Sequence, residues 1–409
     1  MYGKLLLPAL AAATLVSAQS SSTCTQSTIT INSAADATAI SSCETIKGSI
    51  EIGTETGATI DLSGPSQITG DLTLLNNGAI VTLQSSTLGS IGGAFKLQNI
   101  TVLSTLSFQS LESVGSISWQ SLPALGSLTF GTPGVTTAKS VVISDTFLSS
   151  LDGIDLNTVA LMDINNNRRL TEFSSQLGNL TDNLNIQANG LNLKVTLPNL
   201  IWISNMTIAN VTSFSAPSLA VVNGSMRFDS NYFTSFAAPN LTETQTGDIS
   251  FVSNSQLTNL SFPELTTIAG GFTVANNTKL TELTSFPKLE EVGGAIALRG
   301  SFDDVELPSL NDVKGAFTLS STGDIDDSCT TFEKLSSSGG NGKIQGSFSC
   351  TSNNQNANND TSTAGSGSSS GGSSSGNSSS SGDDSSAASS SFSTVLFAAA
   401  LFAAVAQVL

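Results

Sequence analysis

The chain has 409 residues, with 14 Lys or Arg against 31 Asp or Glu and a net charge of −17. So few and scattered basic residues cannot build a positive patch, which excludes nucleic acid as a partner. The absence of histidine excludes the Ser-His-Asp and Cys-His arrangements and every His-ligated metal site.

Residues 1–18 have the order of a cleavable leader. Lys4 supplies the positive start, Leu5 to Val16 the apolar run, and Ser17-Ala18 before Gln19 the small-residue cleavage site. A buried N-terminal helix is the competing reading, but Gln-Ser-Ser-Ser-Thr is a poor continuation for one. The leader predicts an oxidising compartment for the rest of the chain. The four cysteines then fall into two close pairs, Cys24 with Cys43 and Cys329 with Cys350, one near each end of the foldable part. Zinc is the other use of four cysteines, but no C-x-x-C spacing is present. No cofactor is expected.

From Gln19 to Cys350 the sequence keeps a beat of about 23 residues. In the first half Ile46-Lys-Gly48, Ile68-Thr-Gly70, Ile91-Gly92 and Val114-Gly115 step by 22, 23 and 23. In the second half Pro-x-Leu recurs at Pro217, Pro239, Pro263, Pro287 and Pro308. About seven residues after each Pro comes Gly224, Gly247, Gly270, Gly294 or Gly315, and then a spaced apolar pair such as Met226/Phe228 or Phe272/Val274. Apolar residues at period two over four or five positions predict a short strand with one buried face. The Gly before it permits a tight bend or a close approach between coils. The Pro cannot donate to a ladder and belongs in the return segment. A repeat of this length is one turn of a solenoid, which buries its apolar face only against its neighbours. The expected fold is an all-β solenoid of roughly a dozen coils.

Asn recurs three residues after the second apolar position, at Asn77, Asn167, Asn189, Asn231, Asn254 and Asn277. Asn tolerates left-handed backbone and can bond a neighbouring coil, so these predict an internal ladder at one corner. The stretch 131–140 (GTPGVTTAKS) breaks the rhythm, as a longer loop or a seam between two lobes. The raw ends of a solenoid need covering, which makes the two Cys pairs disulfide-closed caps.

N-x-S/T sequons stand at Asn99, Asn179, Asn205, Asn210, Asn223, Asn240, Asn259, Asn276, Asn359 and Asn377. Each one occupied must face solvent. Residues 351–391 are almost wholly Ser, Gly, Asn, Thr, Asp and Ala; such a segment cannot bury a core and reads as a disordered stalk. Residues 392–409 are apolar and uncharged. Small residues, a polar spacer and an apolar tail make a GPI signal, with attachment at Gly382 and with Ser381 and Asn377 as alternatives. The competing reading is a permanent span, at the short limit and with nothing basic after it.

Taken in order, the leader, the front Cys pair, the IxGxLxLxxN and SFPxLxxIxGxFxVxxN coils, the closing Cys pair, the stalk and the tail resemble the fungal GPI-anchored cell-wall organisation proteins. Their ectodomain is similar to the receptor L-domain of insulin- and EGF-type receptors. The resemblance implies a right-handed parallel β-helix related to leucine-rich repeats, and a role in wall integrity without a known catalytic mechanism. It places the protein on the outer face of the plasma membrane, in the wall, or both.

Three functions fit this frame. The first is a non-enzymatic surface glycoprotein whose partners are wall polysaccharide or wall proteins. The second is a β-helix polysaccharide hydrolase or lyase, which needs convergent carboxylates. Its candidates are Asp303-Asp304 and Asp326-Asp327, adjacent pairs in loop-like stretches without an evident basic partner. The third is a receptor or adhesin. Trp119, Trp202, Tyr232 and Phe233 are its aromatic candidates, with Trp119 and Trp202 on strand-like stretches where packing is the simpler role. Arg168-Arg169 is either a processing site or a solvated turn.

Overall fold

The structure is a computed structural model and describes residues 22–359. The leader, the attachment candidates Gly382, Ser381 and Asn377, and the apolar tail lie outside the described residues. The described chain is an all-β parallel solenoid of about 13 turns with about 22 residues per turn.

One face of every turn contributes to a single 22-stranded sheet whose pairings are all parallel. Its register follows the sequence repeat. Met226 lies opposite Ile249, Ile249 opposite Phe272, and Phe272 opposite Ile296. The alternating apolar residues all turn inward, so that Met226, Phe228, Ile249, Phe251, Phe272 and Val274 are fully buried. Each such side chain stabilises the fold by about 1.5–3 kcal/mol through burial. Stacked rings add specific contacts. Phe228 and Phe251 lie 4.8 Å apart and nearly parallel, and Phe262 and Phe286 are 5.1 Å apart.

The expected glycine column exists and acts by close approach. A Cβ on Gly247 would overlap the backbone of Gly224 one turn earlier, and one on Gly294 would overlap Gly270. In several turns a short strand and the longer one after it merge into one bent strand, across Gly115 in Ser113–Leu122 and without a glycine in Asn179–Gln187. The bends are register shifts, at Val114/Ser116 and at Leu180/Asn183.

The asparagine ladder is buried at the corner that follows the sheet. Asn254 Nδ2 donates to Phe228 O at 3.0 Å, and Asn277 Nδ2 donates to Phe251 O at 2.9 Å. The left-handed backbone, however, belongs to the residue before each ladder asparagine: Asn76, Asn166, Ala188, Ser230, Ser253 and Asn276 all have φ between 51° and 58°. The ladder residue is selected for its buried amide and its predecessor for the turn.

The second face is made of shorter parallel sheets, the first of four strands ending at Leu128–Phe130 and the next beginning at Glu172–Ser174. The irregular stretch 131–140 falls in that gap. The large sheet runs across it, with Ile117 opposite Val141 and Val141 opposite Met162.

Both ends are covered. The first strand, Thr28–Ile31, is followed by the helix Ala34–Ala39, whose Ser33 Oγ accepts the Asp36 N–H at 3.3 Å. Cys24 and Cys43 are disulfide-bonded around this segment, 19 residues apart. At the other end the step from Phe317 to Phe348 holds the helix Asp326–Glu333, and Cys329 is disulfide-bonded to Cys350. The ordered chain continues past Cys350, where composition places the start of the stalk. Ala357 is buried, Asn354 Nδ2 donates to Ser320 Oγ at 2.9 Å, and Asn358 Nδ2 donates to Ser301 Oγ at 2.9 Å.

Candidate functional surface

The outer side of the large sheet is lined by the residues between the buried ones. In the turns near residues 205–250 these form a polar concavity of about 210 Å³, lined by Asn205, Thr207, Ser225, Arg227, Asp248 and Ser250. A row of side-chain-to-backbone bonds stitches its edge. Asn205 Oδ1 accepts the Ser225 N–H at 3.0 Å, Ser225 Oγ accepts the Asp248 N–H at 3.1 Å, and Asp248 Oδ1 accepts the Gly271 N–H at 2.6 Å. Ser49, Asp71 and Ala94 repeat the pattern at the front of the molecule, at 3.0 and 2.7 Å. Sequence reasoning missed this second row. Its signal is the short polar residue after a column glycine, as in Gly70-Asp71 and Gly247-Asp248.

Beside the concavity, Arg227 Nε lies 3.4 Å from Asp229 Oδ2. Burial nonetheless raises the Asp229 carboxyl above its ordinary value, against the opposing pull of Arg227. The Arg227 side chain is 60% exposed, so solvent screens that pull.

The aspartate pairs behave differently from their expected isolation. Asp304 opens the two-residue strand Asp304–Val305, and Asp326 and Asp327 start the helix Asp326–Glu333. Asp304, Glu306 and Asp327 line one groove of about 410 Å³ together with Lys343, Pro308 and Phe332. A lysine thus lines the same groove, supplied from outside both pairs. Structural roles also account for these residues. Ser328 Oγ accepts the Val305 N–H at 3.2 Å and lies 3.5 Å from Asp304 Oδ1. Asp326 and Asp327 place negative charge at a helix N-terminus, where the helix dipole favours it.

Trp119 is fully buried, with its ring 5.6 Å from Phe95. Phe233 is buried too, against Phe228 at 5.9 Å, which removes it from the ligand-binding candidates. Trp202 is half-buried on the outer side of the large sheet, and Tyr232 is exposed at the ladder corner. Arg168 and Arg169 are exposed between buried Asn167 and Leu170, with the Arg169 guanidinium 4.5 Å from the centre of the Phe147 ring. Arg169 thus lies over Phe147 while both arginines remain exposed in the turn.

The sequon asparagines spread over several faces, and all nine within the described residues are exposed or half-buried. Asn99, Asn210 and Asn276 take left-handed backbone at the ladder corner, with φ of 56°, 60° and 58°. Asn179 opens the strand Asn179–Gln187, Asn205 lies within Trp202–Ala209, and Asn259 opens Asn259–Ser261. Asn223 follows Val221–Val222, Asn240 lies in a return segment, and Asn359 is the last described residue.

Comparison with known proteins gives the surface a context. Residues 1–41 match the family model described as Ecm33, GPI-anchored cell wall organization protein. The chain is 42% identical over 349 residues to the protein ecm33 of Aspergillus fumigatus, covering 85% of each chain. It is 42% identical over 323 residues to a cell surface GPI-anchored protein of Arthroderma benhamiae, covering 79% of this chain and 81% of that one. It is 33% identical over 351 residues to the cell surface GPI-anchored protein ECM33 of Candida albicans, covering 85% and 83%. No solved structure matches the chain.

Proposed function

The chain belongs to the fungal Ecm33 family of GPI-anchored cell-wall organisation proteins, and from that premise we propose that it is a non-enzymatic surface glycoprotein that maintains the organisation and integrity of the wall. It acts on the outer face of the plasma membrane and in the wall, held by a GPI lipid attached near Gly382. The stalk beyond residue 359 spaces the solenoid from the membrane. The observation that carries this reading is the coincidence of a rigid, end-capped solenoid with a family whose named members are wall and surface proteins. Its partners are wall polysaccharide or wall proteins, met by long polar faces of the kind that solenoids present.

The test is removal of residues 392–409 from the chromosomal copy. The protein should then leave the cell surface for the medium, and the wall should become sensitive to glucanase and to wall-binding dyes. Full wall resistance in cells that only secrete the protein would sink the anchored-function reading. Wall-glucan or chitin cleavage by the purified ectodomain, lost in Asp327→Asn, would replace the non-enzymatic reading with the hydrolytic one that the Asp304, Asp327 and Lys343 groove favours.

A further inference from the structure

Two exposed or half-buried polar aromatics stand on the solenoid surface, Trp202 and Tyr232. Each lies one turn after a sequon asparagine. Trp202 and Asn179 are direct register partners in adjacent parallel strands. Their neighbours Leu180 and Ile203 are also register partners and are both buried, so Asn179 and Trp202 point outward together. Strands in a sheet lie about 4.8 Å apart, so the indole flanks the asparagine side chain on a common face. Ile201, 55% exposed, widens the apolar patch beside it. At the corner, Asn210 Nδ2 points to Ser230 O at 3.4 Å in the following turn. The Tyr232 N–H in that turn donates to Val211 O at 2.8 Å, which places the exposed Tyr232 next to the Asn210-Val211 segment. Leu191, on the turn before, is 81% exposed.

We propose that Trp202 is a stacking platform for the first N-acetylglucosamine of a glycan carried by Asn179, and that Tyr232 serves the glycan of Asn210 in the same way. The apolar C–H face of a pyranose complements the electron-rich face of an aromatic ring, and covering the ring removes apolar surface from water. Phe147, the other large exposed aromatic among the described residues, supports this reading by contrast. No sequon flanks it in the preceding turn, and its face is covered by Arg169 instead. The glycans would lie flat along the solenoid and shield coil-to-coil hydrogen bonds beneath them. The inference requires passage through the secretory pathway but not the wall-organising role.

The chain has only two tryptophans, and Trp119 is fully buried, so collisional quenching of indole fluorescence reports on Trp202. The test uses the full chain made in a fungal host. Glycopeptide mass spectrometry reads the occupancy of Asn179, and acrylamide quenching reads the shielding of Trp202. Thr181→Ala removes the sequon while keeping Asn179, and Trp202→Phe removes the reporter. The quenching constant should rise in Thr181→Ala. It should stay low when an endoglycosidase trims the glycan to its first sugar, and rise when that sugar is also removed. Trp202→Phe should abolish the quenchable component. Equal quenching with and without the sequon overturns the proposal. A bare Asn179 beside occupied sequons elsewhere overturns it while leaving the surface role intact. Protection of Trp202 by added wall oligosaccharide, with no effect of the sequon, assigns the ring to an external sugar and overturns it too.

Discussion

Asn231 and Asn254, one turn apart, are joined twice: Asn254 Oδ1 accepts both the backbone N–H and the Nδ2–H of Asn231, each at 2.9 Å. Both side chains are fully buried. Replacing Asn254 with Leu removes the acceptor of those two donors and the Nδ2–H that the Phe228 carbonyl accepts, while Asn277 Oδ1 keeps the backbone N–H of residue 254. Each unsatisfied buried group costs about 1–3 kcal/mol, so Asn254→Leu should lose several kcal/mol in urea unfolding. Asn192→Leu, at an exposed position with ordinary backbone, is the control. Equal loss in both would show that the ladder does not stabilise the stack.

The glycine column makes a steric prediction. Gly247→Ala places a Cβ against the Gly224 backbone, whereas Gly57→Ala meets open space. Overpacking of this kind costs about 1–3 kcal/mol, so Gly247→Ala should melt well below the parent and Gly57→Ala should not. A parent-like melting temperature for Gly247→Ala would mean that adjacent turns slide apart without cost.

The caps can be opened singly. The Cys24–Cys43 and Cys329–Cys350 disulfides close segments of 19 and 21 residues. Loops of this size stabilise by about 3 kcal/mol in the chain-entropy model. Cys24→Ala with Cys43→Ala should therefore speed hydrogen exchange in Thr28–Ile31 and Ser49–Ile52 and leave the distal turns unchanged at first. Uniform acceleration throughout would mean that the stack opens as one unit rather than from its ends.

Asp229 gives a pH dependence. Burial raises its folded-state affinity for a proton above that of the unfolded chain. The folded state then binds more protons, so this group's contribution to stability is full below the ordinary carboxylate value and falls as pH rises through the raised one. Asp229→Asn should flatten that segment of the melting-temperature profile. Asp61 has the opposite sign. Burial pushes it up, but bonds from the Ser63 hydroxyl, the Gln84 amide and the Ser63 backbone outweigh it and hold it low. Its contribution is present above the ordinary value and lost as pH falls through the lowered one. A profile unchanged by Asp229→Asn would place that carboxylate in bulk-like water.

The coil was legible because its determinants repeat locally. Pro263-x-Leu265, Gly270 and Phe272/Val274 recur one turn later as Pro287-x-Leu289, Gly294 and Ile296/Leu298. The ladder was visible for the same reason, although the sequence does not distinguish the buried Asn277 from the left-handed Asn276 beside it. The grouping of Asp304, Asp327 and Lys343 was hidden, since three separate segments meet only after the cap folds. The segment 351–359 is misleading in composition. Its Ser and Asn content resembles a stalk, yet Ala357 and the Asn358 amide anchor it to the last turns.

Every turn offers its backbone upward and downward to another much like itself, and the ladder has two terminal strands, Thr28–Ile31 and Phe348–Thr351. A bare terminal strand of this kind is a template on which a second molecule can continue the ladder. Each terminal strand has a small helix beside it, fastened by a disulfide. Reduction of either disulfide therefore loosens the cover of an edge whose backbone groups have no further turn to pair with.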